Sequence, residues 1–541
     1  MIETADAMVR CLELEGVKVV FGYPGAAICP FYDYIYKSDK IRHILVRQEQ
    51  NGGHAANGYA RVTGKPAVCI ATSGPGATNL ITAIATAYAD SIPLVVITGQ
   101  VNTDQIGRDV FQEADITGSA EPFVKHSYLV KDATQLPRII KEAFYIAGTG
   151  RNGPVLIDVP MDIQKTKIDF EYPESVDIIS YKPTTVGNTL QIKRVVDAIK
   201  KSEKPLICAG GGVFATNSKD ELYQFASTFD IPVVTTMMGL GAIQGEDNLC
   251  MGMIGTHGVK LANQCVHDCD LLILIGARVG DRAVTQPAFL AETTKIIHID
   301  IDPAEIGKNI ETDIPLVGDA KNILPKLFQT MMDSNCQKFT DWLNSINAKK
   351  QPLQFEETPK GTINPKLFMK KLSDKAPSNT IVVADVGQNQ IWTANGFKVK
   401  NGRFLTSGGM GTMGYSVPAS IGAKLGNPDA PVIAVCGDGS FQMSFMELAT
   451  AVQHDVPIKV IVIANNRLGM VCELQHKQYG SREVAVNLDG SPDFVKLAEA
   501  YGIPSMRIDD NSQIDTAIDK LFNEKGIFLL ECRVAPNEPT L

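Results

Sequence analysis

Two short apolar runs, Val432-Ile433-Ala434-Val435 and Lys459-Val460-Ile461-Val462-Ile463, end at polar tips, the first at Gly437-Asp438-Gly439-Ser440 and the second at Asn465-Asn466. Runs this short that halt at Gly, Asp and Asn read as buried parallel strands whose carboxyl ends carry chemistry. Asp438 and Asn465, 27 positions apart, then lie at the tips of two such strands. A carboxylate and an amide oxygen are hard ligands suited to Mg²⁺, which keeps some of its waters and bridges to phosphate oxygens. Gly437 and Gly439 allow close backbone approach to a diphosphate, and Ser440 heads a helix whose free N–H groups favour anions. Taken alone, Gly-Asp-Gly is a turn and Asn-Asn a loop; two strand ends at this separation favour a metal–diphosphate clamp.

A chain of 541 residues has room for about three domains, and at 44% hydrophobic it can bury sizeable cores. A net charge of −9, with no block of five or six Lys or Arg, argues against a nucleic-acid surface. No apolar segment approaches the roughly 18 residues of a spanning helix, and Met1-Ile2-Glu3 begins no signal peptide, so no membrane is expected. The eleven cysteines are scattered without a secreted-type framework, which predicts a reducing, cytoplasmic home. Cys265, His267 and Cys269 could suggest a metal trio, but their segment reads as a helix and lacks the paired spacing of zinc sites.

Residues 1–165 alternate helical patterns with apolar strands at 17–21, 67–71, 94–98 and 155–159, as α/β units do. A polar stretch from Gln164 to Gly187, with Pro173 and Pro183, reads as a linker. A second unit spans 188–335, with strands at 205–209, 232–235, 271–275 and 295–299; a polar connection from Asn347 to Thr362 leads to a third, 365–535. The expected fold is α/β, three doubly wound parallel-sheet domains.

Glu49 follows a strand-like Ile44-Leu45-Val46 and precedes a helix. One reading is a helix N-terminal acid favoured by the dipole. The other is a buried carboxylate that hydrogen-bonds the aminopyrimidine of a thiamin coenzyme, whose signature the Gly-Asp-Gly…Asn spacing resembles.

The resemblance extends along nearly the whole chain. Phe21-Gly22-Tyr23-Pro24-Gly25, Glu49-Gln50 with Gly58-Tyr59-Ala60-Arg61, the run Thr72 to Asn79, and Phe111-Gln112-Glu113-Ala114-Asp115 are similar to acetolactate synthase (acetohydroxyacid synthase) large subunits. So are Gly276-Ala277-Arg278 with Asp281-Arg282, the run Gly408 to Tyr415, and the clamp. The resemblance implies pyrimidine-binding, central FAD-binding-like and diphosphate-binding domains in that order. It implies three cofactors: thiamin diphosphate, Mg²⁺ and FAD. Glu49 would drive removal of the coenzyme's C2 proton, with Gln112 beside it. Gly25, Val386, Gly387, Gln388, Asn389, Gly411, Gly437, Gly439, Ser440 and Met470 would hold the coenzyme. Met413 would wedge beneath it and enforce a bent shape that brings its amino nitrogen to C2. Asp438, Asn465 and the main-chain oxygen of Arg467 would bind Mg²⁺.

The flavin would meet Arg151, the triplet Gly210-Gly211-Gly212, His257, Gly276, Ala277, Arg278, Asp281, Asp300, Asp319 and Ala320, without net redox chemistry. Arg282 matches the residue that grips the acceptor's carboxylate, a task suited to a planar guanidinium fork.

The activity implied is decarboxylative condensation of two pyruvates to 2-acetolactate, the precursor of valine and leucine. With 2-oxobutanoate as the second 2-oxoacid it gives the isoleucine precursor. A homodimer or homotetramer, with Glu49 and the clamp meeting across subunits, and a possible small regulatory subunit are implied as well. Several positions depart from the family's pattern: Leu474 replaces a Trp over the acceptor pocket, Met161 a Lys, Asn102 a Pro and Ala26 a Gly. The chain also ends at Leu541, short of the family's usual C-terminal arm. These departures bear on acceptor preference and on herbicides that bind the channel. They leave a paralogue that delivers the two-carbon unit to another acceptor, such as a ketosugar, as the alternative.

Overall fold

In the computed structural model, residues 1–283, 294–352 and 354–541 are described. They build three six-stranded sheets, parallel throughout, each flanked by helices. The strands predicted from apolar runs are present, with ends shifted by a residue or two: Val19–Gly22, Ala67–Ala71, Leu94–Gln100 and Pro154–Pro160 in the first sheet, Val432–Gly437 and Lys459–Ala464 in the third. Val17 is not in its strand because its N–H closes the preceding helix on Leu12 O.

Counting strands in chain order, the first sheet runs 2-1-3-4-6-5 in space, and so does the third. The middle sheet runs 3-2-1-4-5-6, the order of dinucleotide-binding folds. In open parallel sheets ligands bind beyond the carboxyl ends of the strands, where the order reverses. That point lies between Ile381–Ala384 and Val432–Gly437 in the third sheet, between Val19–Gly22 and Ala67–Ala71 in the first, and between Pro205–Ala209 and Leu271–Ile275 in the middle one. Each pair runs directly into one of the motifs singled out above.

The stretch from Gln164 to Gly187 is not a featureless linker. Lys167–Ile168 pairs antiparallel with Ile2–Glu3, and Tyr172 and Tyr181 pack on the first core. The Cys265 segment is a helix, Lys260–Asp268. Among the described residues, no helix is long and apolar enough to cross a membrane.

The first and third sheets meet through two helices, Glu49–Thr63 and Ser416–Gly426. Three glycines within a helix would ordinarily cost about 1 kcal/mol each. Here Gly58 and Gly422 let the backbones touch: a methyl at Gly58 would overlap the Ala419 carbonyl, and one at Gly422 the Ala55 carbonyl. The Tyr415 hydroxyl donates to Asn57 Oδ1 at 2.8 Å across this seam, and Arg61 pairs with Asp90 at 2.6 Å, both side chains nearly inaccessible.

Candidate coenzyme and metal site

At the third sheet's reversal point, the helices Gln388–Gly396 and Asp438–Phe441 both start at strand tips. Both helix starts lie at the tips of adjacent strands, and helix N-termini favour anions. Asp438 and Asn465, 2% and 7% exposed, directly follow two neighbouring strands. Asp438 Oδ1 accepts Gly439 N–H at 2.9 Å and Asn465 Oδ1 accepts Arg467 N–H at 3.1 Å, so each oxygen keeps lone pairs for a cation. Burial pushes the Asp438 carboxyl up to about 6, against the pull of the surrounding N–H groups. The donors are hard oxygens and fit Mg²⁺.

The diphosphate-holding candidates gather here. A Cβ on Gly437 would come 3.2 Å from Asn389 Oδ1, while Ser440 Oγ accepts Gly437 N–H at 3.1 Å. Asn389 Nδ2 donates to the Asp385 and Val435 carbonyls. Gln388 Oε1 accepts from Asn465 Nδ2 at 3.0 Å. Gly387, at φ +139, turns the chain into the Gln388 helix. A Cβ on Gly439 would come 3.6 Å from Met413 Cε, which puts Met413 against the clamp. Met470 opens the next helix, Gly469–Gln478, and Gly411 takes φ +67 in the Met413 loop.

That loop is held from both sides by acids that the motifs did not single out. Asp385, fully buried, accepts N–H from Val386, Gly414 and Ser416 at 2.9, 3.0 and 2.8 Å. Asp90, at the end of the helix Ile81–Asp90 in the first sheet's unit, accepts Gly408 and Gly409 N–H at 3.2 and 2.7 Å. Asp385 had a signal, an acid directly after an apolar strand; Asp90 had none.

The last residues also reach this site. Gln388 Nε2 donates to Glu473 Oε1 and to the Glu538 carbonyl, both at 2.9 Å, and Thr540 N–H and Oγ1 donate to the same Glu473 oxygen at 2.7 Å. Cys472, His476 and Glu483 lie close enough together to hold a cation, but the Arg467 guanidinium already pairs with Glu483 at 2.7 Å, and the group reads as an anchor for Arg467.

The first sheet gathers the pyrimidine-side candidates. Glu49, half-buried at the start of its helix, accepts Asn79 Nδ2 at 2.9 Å. A Cβ on Gly76 would come 3.3 Å from Glu49 Oε1, and one on Gly25 2.5 Å from Thr72 Cβ, so the Gly25 turn, Thr72 and Glu49 share one corner. Gln112, itself at φ +59, packs its Cα 3.0 Å from where Gly74 would carry a Cβ. Among the described residues, Glu49's side-chain hydrogen bond stays in the first sheet's unit and those of Asp438 and Asn465 stay in the third's.

In the middle sheet, the Gly210-Gly211-Gly212 loop lies against Gly276-Ala277. A Cβ on Gly210 would come 2.5 Å from Ala277 Cα and one on Gly212 2.6 Å from Gly276 Cα, as the bare crevice of a dinucleotide site requires. Asp300, at the end of Lys295–Asp300, accepts Asp302 N–H, and burial pushes its carboxyl up to about 6. Asp319 caps the helix that begins at Ala320 by accepting Lys321 N–H. Arg151 ties the first sheet to this unit through Asp302 at 3.1 Å and Glu305 at 2.6 Å, and Arg278 donates to the Ala89 carbonyl. These residues fit a flavin nucleotide in their chemistry. Arg282 is exposed beside Asp281 at 3.7 Å. Burial lowers the His257 pKa; the Arg282 charge pushes the same way, while Glu473 opposes it. His257 thus lies within electrostatic reach of Arg282 and of Glu473 and Lys477 on the helix Gly469–Gln478, which also carries Leu474.

Residues 2–119, 192–327 and 385–532 match, in that order, the N-terminal TPP binding domain, the central domain and the C-terminal TPP binding domain of the thiamine pyrophosphate enzymes. The chain belongs to that class. It is 47% identical to the probable acetolactate synthase large subunit of Methanocaldococcus jannaschii, over 99% of this chain and 92% of that protein. It is 44% identical to the acetolactate synthase large subunit of Corynebacterium glutamicum, over 95% of this chain and 84% of that one. For the Haemophilus influenzae acetolactate synthase large subunit the identity is 42%, over 96% and 92%. Within the class, this chain is a member of the acetolactate synthase large-subunit family.

Proposed function

We propose that the chain is the catalytic subunit of an acetolactate synthase, a thiamin diphosphate-dependent transferase of branched-chain amino-acid biosynthesis. It joins two pyruvates, with loss of CO₂, into 2-acetolactate, and pyruvate with 2-oxobutanoate into 2-aceto-2-hydroxybutanoate. The observation that carries this reading is that Asp438 and Asn465 directly follow the paired strands Val432–Gly437 and Lys459–Ala464, where Asn466 N–H donates to Asp438 Oδ2. When bound, the coenzyme would supply a thiazolium carbon acid that, once its proton is removed, is a nucleophile suited to the carbonyl of pyruvate.

The protein's part is to hold and orient. Asp438, Asn465 and the Arg467 carbonyl bind Mg²⁺; Gln388, Asn389, Gly437, Gly439 and Ser440 bind the diphosphate. Glu49, fixed by Asn79, hydrogen-bonds the pyrimidine and sets its proton inventory. Met413 supports the bend, and Arg282 takes the acceptor's carboxylate. The glycine loop at the reversal of the middle sheet would hold FAD as a structural group. The units 1–165, 188–335 and 365–535 serve pyrimidine, flavin and diphosphate. Glu49 of one subunit serves the clamp of another, so the working form is at least a homodimer, with a small regulatory subunit as a further partner. Eleven free cysteines suit a cytoplasmic protein.

Leu474, 46% exposed where the family has Trp, favours one second reading: a carboligase that offers the same two-carbon unit to a bulkier acceptor such as a ketosugar. Purified protein with Mg²⁺, thiamin diphosphate, FAD and pyruvate decides between them. The proposal expects CO₂ and 2-acetolactate in equal amounts. CO₂ with acetaldehyde, or no turnover until a sugar acceptor is added, overturns it.

A further inference from the structure

Glu447 has no role in the reading above, yet it is a fully buried carboxylate. It lies nine residues beyond Asp438, in the turn Phe445–Glu447. Its partners sit in the other coenzyme-binding unit. Oε1 accepts Arg47 N–H and Asn51 Nδ2, both at 3.0 Å, while Oε2 takes Arg47 N–H at 3.2 Å and the Thr450 hydroxyl at 2.6 Å. Arg47 and Asn51 stand two residues before and two residues after Glu49. The residues after Glu447 continue the grip: Thr450 Oγ1 lies 3.2 Å from the Leu45 carbonyl, His454 Nε2 accepts Leu45 N–H at 3.0 Å, and Gln453 Oε1 accepts Arg47 Nη2 at 2.7 Å.

We propose that Glu447 is the positioning residue for Glu49: its carboxylate fixes the start of the Glu49 helix, and with it the angle at which Glu49 meets the coenzyme's pyrimidine. This rests on the role given to Glu49 above. An ionised carboxylate suits the post because every group aimed at it is a donor, and a carboxylate offers only acceptors. It also stands at a helix N-terminus, where negative charge is favoured. An isosteric amide turns an NH₂ toward a donor and leaves one buried group unpaired, while changing little in volume. Because the same short segment carries Asp438, the metal clamp of one site is fixed to the acid that serves the other.

The test compares Glu447→Gln, Glu447→Asp and Asn51→Ala with Glu49→Gln and the unmodified full-length protein. Four quantities are read: thermal midpoint, thiamin diphosphate affinity at saturating Mg²⁺, deuterium uptake of the 45–53 segment without coenzyme, and deuterium exchange at coenzyme C2 in the absence of pyruvate. The proposal expects Glu447→Gln to keep its coenzyme affinity within about threefold, to lose protection at 45–53, and to slow C2 exchange about 10–100-fold, the range in which supporting-residue losses fall. Asn51→Ala should slow it less, and Glu447→Asp should fall between. Unchanged C2 exchange in Glu447→Gln, with Glu49→Gln slow, overturns the positioning role. So does a parallel collapse of affinity, midpoint and exchange in all three positioning variants, which marks a purely structural residue. Unchanged exchange in Glu49→Gln is a different failure, and sinks the role of Glu49 itself.

Discussion

Asp438 Oδ2 accepts the main-chain N–H of Asn466 at 2.5 Å, so two residues 28 positions apart are joined directly at the tips of adjacent strands. The bond fixes one carboxylate oxygen and leaves the other beside Asn465. Asp438→Asn keeps the shape but loses the charge and presents an NH₂ to a donor. The expected result is coenzyme binding at fixed Mg²⁺ weakened about 100-fold or more, the equivalent of roughly 3 kcal/mol for breaking a buried charge pairing. Calorimetric titration checks it; affinity within a few-fold of the parent sinks the assignment.

The same carboxyl gives a pH signature. Burial holds it at about 6 in the metal-free protein, and a proton competes with Mg²⁺ for the ionised form. Mg²⁺-dependent coenzyme affinity should therefore be flat above about pH 6 and fall about tenfold per unit below it. Asp438→Asn should abolish that dependence. A slope that survives in the variant belongs to another group.

Much of this was legible in the residues because the relevant signals are local. An apolar run ending in Gly-Asp-Gly can be read from ten residues, since the strand, its stop and the helix start are neighbours in sequence. Asp90 and Glu447 could not be read this way. Their partners, Gly409 and Arg47, lie 319 and 400 positions away, and only the docking of the first sheet's unit on the third's brings them together. The shared 2-1-3-4-6-5 order was hidden for a related reason: topology constrains which strands adjoin, not which side chains they carry. The linker reading missed the strand Lys167–Ile168 because two residues have no periodicity to detect; its partner is the distant Ile2–Glu3.

His54 sits on the seam between the two units, fully buried, its ring edge-on to Tyr415 at 5.4 Å. Burial lowers its pKa from 6.5 to about 3. The unfolded chain then takes up a proton that the folded chain refuses, so the stability tied to His54 is full above about pH 6.5 and is lost as pH falls toward 3. Burial, with the nearby His454, also lowers His43 to about 4, in the same direction. Calorimetric midpoints from pH 7 to 4 should fall steeply in the parent. His54→Gln should flatten the decline by up to about 1.4 kcal/mol per pH unit. An equal slope in both proteins removes His54 from the account.

Gly422→Ala sets two effects against each other. Helix propensity alone predicts a gain of about 1 kcal/mol. The new methyl, however, meets the Ala55 carbonyl of the facing helix, and backbone cannot swing aside as a side chain can. Overpacking of this kind costs about 1–3 kcal/mol or more. The midpoint should therefore drop, and subunits carrying the change should lose activity through misaligned units. A raised midpoint means the helices are not in contact in solution.

Leu474 tests the acceptor side. It is 46% exposed on the helix Gly469–Gln478, one residue beyond Glu473, whose carboxylate holds Gln388 and Thr540 and whose charge reaches His257 beside Arg282. On the proposed function, an indole at this position would add apolar surface over the acceptor's alkyl group. A single methylene contact in such a pocket is worth about 1–3 kcal/mol, or roughly 10–200-fold in preference. Leu474→Trp should raise the ratio of 2-aceto-2-hydroxybutanoate to 2-acetolactate about tenfold or more when pyruvate and 2-oxobutanoate compete, with pyruvate self-condensation largely unchanged. Chromatography of the two products from one mixed reaction measures the ratio directly. If the ratio does not move, the 469–478 helix does not wall the acceptor pocket, and Arg282 loses its claim on the acceptor's carboxylate with it.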